Sequence, residues 1–184
     1  MQEAAAELPL TVLAGMELCT AEEIHVVCLF PTAEAAEAAG AEAEAALPDI
    51  ANDPAIFGAQ EIRDSEERLV GTVDKLLINA TSISVDDVRS FAARYGGICF
   101  PAHIEKQSNS IFAAFGYLPE HLGFRTVEVA HPAAFLPTAQ GAEIASRCNI
   151  LTDSDAHMLE SISEAEHGIL LKTCDFNGLK GYIL

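Results

Sequence analysis

Short apolar runs separated by polar turns set the pattern of this chain. Leu10 to Met16 and Ile24 to Phe30 are nearly continuous apolar stretches of strand length, followed later by Ile98 to Pro101, Thr126 to Ala130, Asn149 to Leu151 and Ile169 to Leu171. Runs this short, bounded by Gly, Pro, Asp or Asn, predict buried strands. Between them the period changes. Thr32 opens an alanine-rich stretch, Ala33 to Ala46, that carries Glu34, Glu37, Glu42 and Glu44 and predicts a solvated helix ending near Leu47-Pro48. Ser84-Val85-Asp86-Asp87 resembles a capping box, opening a helix that stops at Gly96-Gly97. Ser110 to Phe115 reads as a helical turn. Residues 49–75 are irregular, with a small hairpin expected between Glu61-Ile62-Arg63 and Arg68-Leu69-Val70. Alternation of strands and helices predicts an α/β fold with a mainly parallel sheet, open or barrel-like.

Length and charge narrow the reading. The 184 residues suffice for one core, taken as a single domain over 1–184. The net charge of −18, from 28 acidic and 10 basic side chains, repels nucleic-acid backbones and anionic membranes. Duplex DNA and membrane surfaces are therefore not expected partners. A phosphorylated small molecule or a nucleotide is compatible with this field where bound cations reverse its local sign. No apolar run approaches the roughly 20 residues of a membrane span, and no basic segment precedes an apolar one as in a signal peptide. Cys19, Cys28, Cys99, Cys148 and Cys174 are scattered and form no C-x-x-C. That pattern fits reduced thiols in a cytoplasmic protein.

Candidate chemistry follows the apolar runs. Glu17, His25 and His103 lie at or near the predicted strands, and Thr152-Asp153-Ser154-Asp155-Ala156-His157 follows Ile150-Leu151. Strand ends are where α/β folds gather ligands. In an extended Asp-x-His, residues i and i+2 point to one side, which would let Asp155 and His157 grip metals in one pocket. Singly these residues have plainer readings. A histidine on an apolar strand, such as His25, is more often a core residue, and Asp153 suits a turn. Glu17, a carboxylate ending a buried strand, is costly there unless paired or bound to metal. His121, His131 and His167 stand in no such pattern. Taken together, the set points to metal-assisted hydrolysis.

The same residues carry a resemblance. Gly15-Met16-Glu17, Glu22-Glu23-Ile24-His25-Val26, Pro101-Ala102-His103-Ile104 and Ser154-Asp155-Ala156-His157 resemble, in order, the later motifs of the PHP (polymerase and histidinol phosphatase) family. Leu77 to Thr81 and the segment from Ser108-Asn109-Ser110-Ile111 to Pro119 resemble one bacterial subgroup. The resemblance implies a distorted β/α barrel with two or three divalent metals at the strand ends, and phosphoester hydrolysis. It implies that Glu17 bridges two metals, that His25 and His103 complete one of them, and that Asp155 and His157 serve the neighbouring ions. It makes Glu17 and Asp155 the catalytic carboxylates. The ligand chemistry suits zinc, manganese or iron better than calcium. Lys106 stands where the subgroup usually has Arg followed by Pro and is expected to meet a substrate phosphate.

The chain departs from the family at its start. The His-x-His strand and the Thr-Asp-His segment are missing, and Met1-Gln2-Glu3-Ala4 reads like the tail of a helix. A β/α unit takes about 30 residues, so roughly two units are absent. The chain as given is then a fragment, a gene called from an internal Met, or a natural truncation. One metal site stays nearly intact and two are crippled. Two functions fit: a metal-dependent phosphoesterase, or a non-catalytic remnant that binds a metal or a protein. An incomplete barrel exposes sheet edges, so a homo-oligomer is expected.

Overall fold

An antiparallel hairpin begins the fold. In the computed structural model, which describes residues 2–164 and 166–184, residues 2–9 form turns rather than a helix tail, and Met1 lies outside the described residues. β1 (Ala14–Cys19) and β2 (His25–Phe30) pair in register from Ala14↔Phe30 to Cys19↔His25. Thr20 closes the turn between them: its carbonyl accepts the Glu23 N–H and its N–H donates to the Ile24 carbonyl, both at 2.9 Å. β3 (Glu61–Arg63) and β4 (Leu69–Thr72) form a separate hairpin, as the sequence predicts. β5 (Ile98–Pro101) joins the far side of β2, again antiparallel, from Val26↔Pro101 to Leu29↔Ile98. β6 (Thr126–Glu128) and β7 (Asn149–Leu151) are the parallel pair.

The main sheet, ordered β1-β2-β5, is therefore antiparallel, not parallel as the alternation of elements suggested. For β1 and β2 the reason is loop length. A parallel crossover takes a dozen or more residues, and residues 20–24 are too few to make one. Among the described residues the strands form small sheets and no closed barrel.

Seven helices complete a mixed α/β chain among the described residues: α1 (Ala33–Ala45), α2 (Pro54–Phe57), α3 (Val88–Arg94), α4 (Ile111–Phe115), α5 (Pro132–Phe135), α6 (Ala139–Arg147) and α7 (Phe176–Ile183). Thr32 caps α1 by accepting the Ala35 N–H on its hydroxyl at 3.2 Å. Ser84 bonds the Asp87 carboxylate, but α3 starts only after Asp87, whose side chain caps nothing. Ile169 to Leu171 is not a strand: it finds no pairing edge, and Leu170 is 96% exposed.

Side-chain alternation along β2 separates two faces. Val26, Cys28 and Phe30 are almost fully buried with Ala39 and Ala43 of α1 and Val88, Phe91 and Ala92 of α3. The alanines let α1 approach the sheet closely. Gly97, just before β5, lets that strand lie close to β2, since a Cβ there would lie 2.7 Å from the Phe30 ring and 2.8 Å from the Leu29 carbonyl. On the other face, Ile98 and Phe100 of β5 pack with Phe176 and Ile183 of α7. His25, Val27 and Leu29 share that second face of β2, and the candidate site is built at its His25 end.

Candidate metal centre

Strand register brings the first two ligand candidates together. Cys19 lies directly opposite His25, and Glu17, two positions back on the same face of β1, is the diagonal neighbour. Glu17 thus sits inside its strand rather than at its end, because β1 starts at Ala14 and not at Leu10. The preceding Gly15 keeps the strands close: a Cβ there would come within 2.5 Å of the Cys28 carbonyl oxygen.

His103 arrives from the loop after β5. Its neighbours are tied to different strands: the Ala102 N–H donates to the His25 carbonyl and the Ile104 N–H to the Glu128 carbonyl, each at 3.0 Å. Held on both sides, His103 takes a φ of 29° and is 4% exposed. Its side chain points back at β1.

Glu17 stands between the two rings. Its Oε2 is 3.2 Å from His25 Nδ1 and its Oε1 is 3.4 Å from His103 Nε2. The ring centroids are 5.3 Å apart. One donor atom from each residue lies within 4.8 Å of the others, a spacing no other such trio meets among the described residues. His25 Nδ1 and His103 Nδ1 are both buried without a hydrogen-bond partner. A carboxylate and two imidazoles that turn His25 Nδ1 and His103 Nε2 toward it fit a divalent transition ion, and they leave coordination positions open.

Charge couples these groups. The imidazoles, His103 foremost, hold the Glu17 carboxyl well below the usual carboxylate range. Contact with Cys19 and then with Glu17 pushes His25 up to about 9 against the cost of burial. At pH 7 the metal-free His25 ring is therefore charged, and a bound cation must displace its proton. Metal uptake at pH 7 is expected to release about one proton, with affinity climbing about tenfold per pH unit until pH nears about 9. Titration calorimetry in buffers of different ionisation heat reads that proton count. A count near zero would mean that His25 is not a ligand.

The remaining candidates lie around the trio. Glu17, Glu128, Asp153 and Asp155 line a groove of about 350 Å³ beside β1 and β2. Asp155 has a φ of 44° and is ion-paired to Lys106. Asp153 acts as a turn residue, accepting the Asp155 N–H at 2.9 Å. The Asp-x-His segment is not extended; Asp155 lines the groove, while His157 stays at the surface with its Nδ1 3.9 Å from Asp155 Oδ1. His157 is exposed and its Nδ1 sits 2.9 Å from the Asp155 carbonyl. His131 lies outside, where its N–H donates to Glu105 at 2.6 Å.

Sequence reasoning missed two residues here. Glu128 is 3% exposed, and its Oε1 is buried without a partner. Burial above all, then the charge of Asp153, pushes its carboxyl up to about 7. A lone carboxylate between Val127 and Val129 was the available signal, because apolar strands rarely hold one without a reason. Asn109 is the second, with its side-chain amide 2.8 Å from His25 Nε2.

No protein-family profile and no curated protein matches the chain. Among solved structures it is similar to the crystal structure of PfuEndoQ, a lesion-specific endonuclease from Pyrococcus furiosus, with a TM-score of 0.57 at 14% identity. The match covers 92% of this chain but only 38% of that one. The likeness shows the fold, which is distantly PHP-like.

Proposed function

We propose that the chain is a metal-dependent hydrolase of phosphate esters, built on a partial PHP-type barrel. The observation that carries this reading is the convergence of Glu17, His25 and His103 from three segments onto one point. A divalent ion there would bring bound water to a pKa near neutrality and so supply hydroxide at pH 7. Glu17 and the two imidazoles hold the cation, and Glu17 also balances its charge. Asp155 keeps Lys106 at the site, where the ammonium meets an incoming phosphate. Asp155 itself is the second catalytic carboxylate, and His157 stands beside it at the exposed rim, its Nδ1 3.9 Å from Asp155 Oδ1.

The solved structure that the chain resembles is that of an endonuclease, so a nucleic-acid or nucleotide substrate comes into view. A net charge of −18 favours a nucleotide or small phosphoester over a long polyanion. The test is hydrolysis of p-nitrophenyl phosphate, its bis-ester and mononucleotides with added Mn²⁺. Turnover that needs the metal and disappears in His103→Ala supports the reading. Metal binding without turnover supports the second one, a metal-binding module whose site another segment or chain completes. The observation favouring that second reading is that Asp155 is taken by Lys106 while His157 faces solvent.

A further inference from the structure

We infer that Asn109 is a positioning residue that turns the His25 ring so that it ligates through Nδ1. The inference rests on reading Glu17, His25 and His103 as metal ligands.

Asn109 holds His25 twice. Its carbonyl accepts the His25 N–H at 2.9 Å, and its side-chain amide nitrogen, Nδ2, lies 2.8 Å from Nε2. One residue therefore fixes both the backbone and the far side of the ring. On the near side, Nδ1 is buried without a hydrogen-bond partner and faces Glu17 Oε2 at 3.2 Å. The two ring nitrogens are thus divided, Nε2 for the amide and Nδ1 for a cation. A ring bound through Nδ1 carries its proton on Nε2, and a half-turn of the amide presents Oδ1 as the acceptor without changing volume. Such an outer hydrogen bond sets the tautomer and raises the basicity of the ligating nitrogen.

The loop is shaped for this. Asn109 has a φ of 54°, in the left-handed region that Asn tolerates better than most residues. The next residue, Ser110, is 1% exposed, donates its hydroxyl to the Lys106 carbonyl at 2.5 Å and accepts the Ala113 N–H at 3.0 Å. Asn109 is therefore anchored beside α4 rather than free to follow the ring.

The experiment uses the whole chain and Zn²⁺ alone. In the zinc-loaded protein with ¹⁵N-labelled histidine, NMR is expected to show His25 protonated at Nε2 and bound through Nδ1. Asn109→Gly keeps the left-handed backbone, removes the amide and is expected to weaken Zn²⁺ binding roughly 10–100-fold with an unchanged fold. Asn109→Asp keeps an acceptor and is expected to bind Zn²⁺ at least as tightly as the parent. Zinc on Nε2 of His25 overturns the inference. So does Asn109→Gly binding within about twofold of the parent, or Asn109→Asp losing as much as Asn109→Gly. A parent chain that takes up no zinc sinks the metal-site reading instead, and that is seen before any variant is made.

Discussion

Replacing Glu17 by glutamine is expected to weaken divalent-metal binding by more than about 100-fold, beyond the range seen for outer-shell partners. The amide keeps the volume but loses the charge that faces both imidazoles. The same variant should also reveal the coupling in the metal-free protein. His25 is raised to about 9 from 6.5, so its share of stability is fully present below 6.5 and disappears as pH rises through about 9. Glu17 is depressed from 4.5, so its share is present above 4.5 and disappears as pH falls. The parent's thermal advantage over Glu17→Gln should therefore be largest between pH 4.5 and 6.5 and vanish above pH about 9. Melts at pH 5.5 and 9.5 with a chelator present would measure it (both values lie roughly within those limits). An equal gap at the two pH values would show that Glu17 and His25 do not share a charge.

Phe91→Ala is expected to destabilise the fold by about 3–5 kcal/mol, the usual cost of removing a buried aromatic ring. Phe91 is 1% exposed, its ring lies 5.9 Å from that of Tyr95, and the Arg94 guanidinium sits 5.6 Å above it. The cavity would open where α3 meets the buried face of β2. Urea unfolding should show a lower midpoint with an unchanged slope. Phe57→Ala is the control: that ring is 52% exposed, and its loss should change stability by no more than about 0.5 kcal/mol. Equal losses at the two positions would place the core elsewhere.

Much of this structure was legible in the sequence, for physical reasons that differ by element. Thr32 and the alanines of α1, the hairpin at Glu61 and Leu69, and the strand from Ile98 to Pro101 are local: caps, turns and apolar runs specify them. What escaped depends on contacts distant in sequence. Ile169 to Leu171 has strand composition and no neighbour to pair with. The short helices α2 and α5 carry too few residues to show a period, and α6 and α7 declare themselves mainly by what they pack against. At the site, Glu17, His25 and His103 were marked by residue type and by motif order, and the structure brings them together. Asp155 and His157 were expected on one side of an extended segment; the backbone at Asp155 is left-handed instead, and His157 stays at the surface with its Nδ1 3.9 Å from Asp155 Oδ1. Asn109 could not be read as a site residue, because its role comes from a hydrogen bond that only the folded chain creates, whereas Glu128 left one signal, a carboxylate within an apolar strand.

The way His103 is held has a consequence for the sheets themselves. Its two neighbouring amides belong to different partners, one to β2 of the antiparallel sheet and one to β6 of the parallel pair. His103 is thus the rivet where two independently hydrogen-bonded units meet, and Glu17 and His25 lie wholly on one side of that seam. Any slippage between the units would move one corner of the triangle and leave the other two in place. A cation held by all three would therefore report seam alignment through its own retention, and would lock two sheets that share no ladder of their own among the described residues.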